Sequence, residues 1–177
     1  MIRKAISEDI DAIEAIYNRI HHRQEQGKTV IGWQRNIYPT RQTAQAALER
    51  GDLFVQTNEQ GQIVGAAIFN QIQDDFYRDA PWQYPAEDRE VMVMHTLVTD
   101  PLHQNKGYGS AFADYYEEYA LAQGCRYLHI DTNERNLNAR HFYQNRGYRE
   151  IAVCPCDFNG LLGVRLVLLE KHIQQGR

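Results

Sequence analysis

Between Val98 and Ser110 the chain reads Val-Thr-Asp-Pro-Leu-His-Gln-Asn-Lys-Gly-Tyr-Gly-Ser. A strand pattern ends at Thr99 and a helical pattern opens at Gly107, so the loop between them delivers the chain to a helix N-terminus. Such a terminus has four N–H groups without intrahelical acceptors and about half a positive charge. Gly107 and Gly109 lack Cβ atoms, which lets an anion come against the backbone, and Lys106 adds a mobile cation. The chemistry on offer is the capture of a phosphate ester, although the same glycines also suit a tight turn with no ligand. Proton-transfer groups flank this segment. His95, in the strand before the loop, has an ordinary pKa near neutrality and suits a general base; it serves equally as a hydrogen-bonded histidine of the sheet. Glu90, at the entrance of that strand, is the reserve. Tyr143 has a phenol that keeps its proton at neutral pH and donates it where negative charge builds up. A tyrosine there also makes an ordinary amphipathic core residue.

The loop fits neither of two common phosphate motifs. No Gly-Lys-Ser/Thr follows, so this is not a P-loop, and a kinase or nucleotide hydrolase is disfavoured; the third glycine of a dinucleotide fingerprint would fall at Phe112. Instead Gln104-x-x-Gly107-x-Gly109, following a strand and with its first glycine six residues after Pro101, resembles motif A of the GNAT superfamily of acetyl-CoA-dependent N-acetyltransferases. A second block, Asn136-x-x-Ala139-x-x-Phe142-Tyr143-x-x-x-Gly147-Tyr148, resembles that family's motif B. Both blocks stand in the family's order.

The resemblance implies a role for each matching residue. Leu97, Val98 and Thr99 would offer backbone groups to the pantetheine arm and the acetyl carbonyl. The amides of Gln104, Asn105, Lys106, Gly107, Tyr108, Gly109 and Ser110 would cradle the pyrophosphate of acetyl-CoA. Asn136 would hydrogen-bond the pantetheine region, with Ala139 and Phe142 packed beside it. Tyr143 would protonate the leaving thiolate. His103 departs from the pattern, because many members carry arginine there, and this weakens a contact to the nucleotide phosphates while leaving the backbone cradle intact. The implied reaction is direct attack of an amine on the thioester in a ternary complex, with no metal; no cysteine falls in either block to form an acetyl-enzyme. A non-catalytic acyl-CoA-binding or regulatory module on the same scaffold is the alternative. Dimers are common in the family, so a homodimer is compatible with it.

The acceptor amine has its own candidates. Residues 73–90 hold Asp74, Asp75, Asp79, Glu87, Asp88 and Glu90 against Arg78 and Arg89, interleaved with Phe76, Tyr77, Trp82 and Tyr84. Acidic groups beside aromatic faces suit a cationic amine of a small molecule or peptide. Trp33, Arg35 and Tyr38 would form an opposite wall. A solvated loop with its aromatics packed on the domain is the plainer reading.

The elements that must position these residues follow from periodicity. Ile2 to Ala5 reads as a strand. Ser7 reads as the N-cap of a helix whose buried stripe is Ile10, Ile13, Ile16, Tyr17 and Ile20. Residues 28–40 are irregular, and Thr40 caps a second helix with Ala44, Ala47 and Leu48 inward and Gly51 at its end. Leu53–Thr57 and Ile63–Ile72 form a hairpin, residues 73–90 an excursion, and Val91–Thr99 a strand. A helix from Gly107 to Gly124, a strand at Tyr127–Thr132 and a helix at Leu137–Arg146 follow. Strands at Tyr148–Val153 and Val164–Leu169, joined through Asn159-Gly160, complete the chain. The expected class is α/β (α+β): one GNAT-type domain over 1–177, with a central mixed, mostly antiparallel sheet of about seven strands flanked by about four helices.

Composition is consistent with that class. A chain of 177 residues is the size of one domain and buries roughly 70% of its unfolded surface. With 43% hydrophobic residues, 24% charged and a mean hydropathy of −0.61, it is neither disordered nor membrane-spanning. Nineteen Lys+Arg against 23 Asp+Glu give a net charge of −4, with no basic excess to hold nucleic acid. Cys125, Cys154 and Cys156 form no disulfide framework, and MIRKAISEDID has no apolar signal stretch; both point to reduced thiols in the cytoplasm.

Overall fold

The computed structural model describes residues 1–174; the last three residues of the expected domain lie outside the described residues. Its elements are β1 (Ile2–Lys4), α1 (Ile10–Glu25), α2 (Arg41–Arg50), β2 (Leu53–Thr57), β3 (Ile63–Asn70), β4 (Val91–Thr99), α3 (Tyr108–Ala122), β5 (Tyr127–Asn133), α4 (Leu137–Asn145), β6 (Arg149–Phe158) and β7 (Leu161–His172). Hydrogen-bonded neighbours in the sheet run β1-β2-β3-β4-β5-β7-β6. The expected mixed sheet of seven strands with four helices is therefore present. The chain divides into two compact units. The first holds Met1–Thr29, Trp33–Phe69 and His95–Tyr116; the second holds Val30–Gly32, Asn70–Met94 and the described chain from Glu117. Strand β4 contributes to both, Val91–Met94 to the second and His95–Thr99 to the first.

In the first unit, β1 and β3 flank β2, both antiparallel to it. The apolar stripe of α1 is buried as its spacing requires: Ile10, Ile13, Ile16, Tyr17 and Ile20 are all inside. Phe54 stacks on Phe69 at 4.6 Å, and Phe69 meets Phe112 edge-on at 5.8 Å and Tyr116 at 5.1 Å. Ser7 does not cap α1. Residues Ser7–Asp9 form a 3-10 turn in which the Asp9 carboxylate accepts the Ile6 N–H at 2.9 Å, and Arg3 grips the same carboxylate at 2.6 and 2.9 Å. A charged acceptor pinned by arginine outcompetes a hydroxyl, and the Ser7 hydroxyl donates to Glu8 instead.

In the second unit, β5 pairs parallel with β4 over Val91–Val93 and antiparallel with β7 along Tyr127–Asn133. Strands β6 and β7 form one long hairpin around Asn159 (φ 48°) and Gly160 (φ 85°), the left-handed pair that a tight hairpin turn needs. Both strands extend further than the expected 148–153 and 164–169. Pro155 does not stop β6, because β6 is an edge strand with one ladder to satisfy. Strand β3 stops two residues short of Ile72, whose N–H turns onto the Asn70 side-chain oxygen at 3.0 Å.

The excursion over residues 73–90 is anchored to this second unit. Tyr77 is buried with Val91, Val93 and Leu168, and Phe76 and Trp82 pack against that cluster. The Trp82 indole stacks on His129 at 3.6 Å between centroids and donates to the Tyr77 carbonyl at 2.8 Å. Glu170, 1% exposed, accepts the backbone N–H groups of Gln83 at 3.0 Å and Tyr84 at 3.3 Å. A buried carboxylate thus does for the excursion what a strand ladder does elsewhere. Hydrogen bonds to a charged group are each worth about 1.5–3 kcal/mol. Glu170→Ala is expected to lower stability by about 2–4 kcal/mol and to abolish hydrogen-exchange protection at the Gln83 and Tyr84 amides. Protection equal to wild type at both amides would contradict the anchor.

Candidate active site

The first unit holds the phosphate-type loop. Along β4 the exposures alternate as a strand requires: His95, Leu97 and Thr99 are half-buried, Thr96 and Val98 buried. Thr96 has φ 52°, a left-handed conformation that is costly for a β-branched residue. It is held there by a hydrogen bond between its hydroxyl and that of Tyr38. Tyr38 is itself buried, and Trp33 lies edge-on to it at 5.9 Å, so the Tyr38 hydroxyl is engaged inside the unit rather than presented to solvent.

Beyond β4, Asp100 is 2% exposed and anchors the loop. Its carboxylate accepts two bonds from Arg19, at 2.8 and 2.7 Å, and the Leu102 N–H at 3.0 Å. The departure at His103 has a structural place: its Nδ1 lies 3.6 Å from the Asp100 carboxylate. Asn105 (φ 60°) and Gly107 (φ 75°) are both left-handed. A Cβ built on Gly107 would meet nothing within 4 Å, so glycine supplies the backbone angle there and not room. Helix α3 then starts, with the Gly107 carbonyl accepting the Ala111 N–H at 3.0 Å. The amides of Tyr108, Gly109 and Ser110 precede the first intrahelical donor and have no acceptor within the helix. Gln104, Asn105, Lys106 and Ser110 are exposed around them, with Tyr108 and Gly109 half-buried.

The second unit holds the tyrosine. Asn136 caps α4, its side-chain oxygen accepting the Ala139 N–H at 3.2 Å, so that oxygen already has a partner. Ala139 and Phe142 are half-buried. Tyr143 is 6% exposed, edge-on to Phe142 at 5.1 Å and to Tyr148 at 5.5 Å. Its hydroxyl makes no hydrogen bond among the described residues. Burial pushes its pKa up, the Asp131 carboxylate adds to this and Arg146 opposes it. The phenol holds its proton firmly.

Of the acceptor candidates, Trp33 and Tyr38 lie in the first unit and Asp74, Asp75, Trp82 and Glu90 in the second. Trp82 is committed to His129, and the Glu90 carboxylate accepts the Glu87 N–H at 3.1 Å, closing a 3-10 turn. Asp75 is exposed and pairs with Arg78. Asp74 is half-buried, and burial followed by the charge of Asp75 raises its pKa. A cavity of about 260 Å³ opens here, lined in part by Asp74, Tyr77, Arg78, Trp82, Asp88 and His129.

Two groups of this unit escape a motif search. His129 and Asp131 sit two apart on β5, alternating with the buried Leu128 and Ile130. His129 bonds the Gln73 side-chain oxygen at 2.9 Å, and burial drops its pKa to about 4. Asp131 accepts the Tyr77 hydroxyl at 2.6 Å; burial, reinforced by Asp74 and opposed by Tyr77, pushes it up to about 7. The period-two spacing of two titratable groups alternating with Leu128 and Ile130 was the available signal. Among the described residues, no group of three His, Cys, Asp or Glu is arranged to hold a metal ion, and no helix is long and apolar enough to cross a membrane.

A family model described as the acetyltransferase (GNAT) family matches residues 11–148, which span both motif blocks. The chain belongs to that family. The uncharacterized protein YdhI of Bacillus subtilis is 30% identical over 104 residues, 59% of this chain and 54% of YdhI, so the alignment spans about half of that relative. Among solved structures, YncA of Salmonella typhimurium, determined with its cofactor acetyl-CoA, is 18% identical with a TM-score of 0.69, covering 100% of this chain and 95% of that one. Ard1 from Thermoplasma volcanium is 16% identical with a TM-score of 0.71, covering 99% and 98%. These likenesses establish the GNAT fold.

His129 yields a pH prediction for this GNAT chain. Its folded pKa lies below the ordinary value, so protonation favours the unfolded chain. The stability it confers is complete above about pH 6.5 and is lost as pH falls towards 4. Denaturant unfolding at pH 7 and pH 4 is expected to show a loss about 2–3 kcal/mol larger in wild type than in His129→Gln. Equal losses would contradict a buried neutral imidazole.

Proposed function

We propose that this protein is a cytoplasmic N-acetyltransferase, with one catalytic domain over 1–177, that moves the acetyl group of acetyl-CoA to a primary amine of a small molecule or peptide by direct attack. The observation that carries this reading is the open N-terminus of α3, with its left-handed approach at Asn105 and Gly107, in a chain of the GNAT family. A diphosphate is the ligand that amides from Gln104 to Ser110 suit best, with Lys106 as an auxiliary cation. The backbone of Leu97, Val98 and Thr99 would hold the pantetheine arm and the acetyl carbonyl, and Asn136, Ala139 and Phe142 would contact the same arm. The three unpaired thiols agree with a reducing compartment.

The chemistry follows from protons. Attack by the amine expels the thiolate of coenzyme A, which must be protonated. Tyr143, with a hydroxyl unengaged by other described residues and a pKa raised by burial, is a proton donor to the sulfur. The amine must reach the thioester uncharged, which requires a proton acceptor; from sequence that role falls to His95 or Glu90. Asp74, on the rim of the 260 Å³ cavity, supplies negative charge suited to attracting an ammonium.

Thiol release from acetyl-CoA across a panel of primary amines tests this directly. Turnover with at least one amine is expected. Tyr143→Phe is expected to lose roughly ten-fold or more in kcat with the Kd for acetyl-CoA unchanged. Acetyl-CoA binding without turnover over a broad panel would instead make the chain a non-catalytic acyl-CoA-binding module. Wild-type kcat in Tyr143→Phe would remove the tyrosine from its role.

A further inference from the structure

One titratable side chain of the second unit stands outside both motif blocks. Asp131 lies on β5, half-buried, with its carboxylate 2.6 Å from the Tyr77 hydroxyl. Tyr77, which holds this carboxylate, is also one of the residues lining the 260 Å³ cavity, as is Asp74. The titratable groups coupled to Asp131 come from several neighbouring elements: Asp74 and Tyr77 from the excursion act on it, and it acts on Tyr143 of α4 and Cys156 of β6, while His129 lies two residues back on its own strand. Across the β5–β7 ladder its register partner is Leu168, which is apolar. Among these groups there is no cation to fix the carboxylate in its charged form; Arg146 acts on Tyr143.

We propose that Asp131, positioned by the Tyr77 hydroxyl, accepts the proton of the acceptor ammonium in the acetyl transfer. The inference rests on the acetyltransferase reading above and assigns to Asp131 the role that sequence gave to His95 or Glu90. An ammonium approaching Asp131 gives one proton to the carboxylate, and its freed lone pair forms the N–C bond at the thioester carbonyl. The C–S bond then breaks, and the sulfur takes the Tyr143 proton. The second N–H proton of the nitrogen returns to the tyrosine oxygen, and the proton on Asp131 passes to water. The sum is one ammonium and one thioester giving one amide, one thiol and one proton. The neighbouring groups fit this role: burial and Asp74 favour the protonated carboxyl, whereas the Tyr77 hydrogen bond stabilises the carboxylate that must do the accepting. Asp131 therefore switches near neutral pH, where a general base is most effective.

Two measurements test the assignment on the full chain. The first needs no turnover. A carbon-13 NMR titration of the Asp131 carboxyl is expected to give a midpoint near 7 in wild type, moved upward in Tyr77→Phe. A midpoint near the ordinary aspartate value of about 4, or one that Tyr77→Phe leaves in place, overturns the proposal. The second compares n-butylamine, an ammonium at pH 7, with methoxyamine, uncharged at that pH. Asp131→Asn is expected to lower kcat/KM for n-butylamine by roughly a hundred-fold or more and to erase its acidic limb. The loss with methoxyamine should be several-fold at most, the Kd for acetyl-CoA should stay at the wild-type value, and Asp131→Glu should restore part of the rate. Equal losses with both amines, or an acidic limb that survives Asp131→Asn and vanishes in His95→Gln, overturns it. If wild type binds acetyl-CoA but acetylates no amine, the acetyltransferase reading fails, and the carboxyl titration still decides whether Asp131 accepts a proton near neutrality.

Discussion

The backbone amides at the start of α3 set the terms for the phosphate-type loop. A helix cannot satisfy its own first N–H groups, and in most proteins a side-chain cap or water takes them. The turn into α3 is held open by two left-handed residues, Asn105 and Gly107, and its base is fixed by the carboxylate of Asp100 gripped by Arg19. The open terminus is thus a built feature of the first unit. Positive charge here comes from oriented dipoles and one lysine, so it does not depend on the chain's net charge, which is −4.

The second unit solves a different problem, the burial of polar groups beside an apolar core. Glu170 is buried with two backbone N–H groups of the excursion, His129 is kept neutral against the Trp82 ring, and Asp131 is met by one phenol. Glu170 and His129 are tied into the architecture by backbone and side-chain partners. Asp131 shares its surroundings with Asp74 and two buried phenols, an arrangement that stability alone does not favour. Tyr143, buried with an unengaged hydroxyl, belongs to the same class of group. Polar atoms left available at this cost suit a ligand or a proton better than they suit the fold.

Much of this was legible in the chain. The stripe from Ile10 to Ile20, the Thr40 and Gly51 boundaries of α2 and the strand-loop-helix run at Val98–Ser110 depend on periodicity and local turn chemistry, which sequence displays directly. The cap at Ser7 was not legible, because the competing acceptor, Asp9, owes its strength to Arg3 across a turn. The reach of β6 and β7 was hidden by Pro155, whose tolerance depends on β6 being an edge. The excursion read as charged and aromatic, but its aromatic half is consumed by His129 and the apolar cluster around Tyr77, contacts made between segments far apart in the chain. Asp131 lacked a motif for the same reason: its partner Tyr77 lies 54 residues away.

The measurement that bears most directly on this account is a crystal structure of the full chain grown with acetyl-CoA. The diphosphate is predicted within hydrogen-bond distance of the Tyr108, Gly109 and Ser110 amides. A diphosphate bound away from α3, or a loop that closes on its own side chains while the coenzyme sits elsewhere, would contradict it.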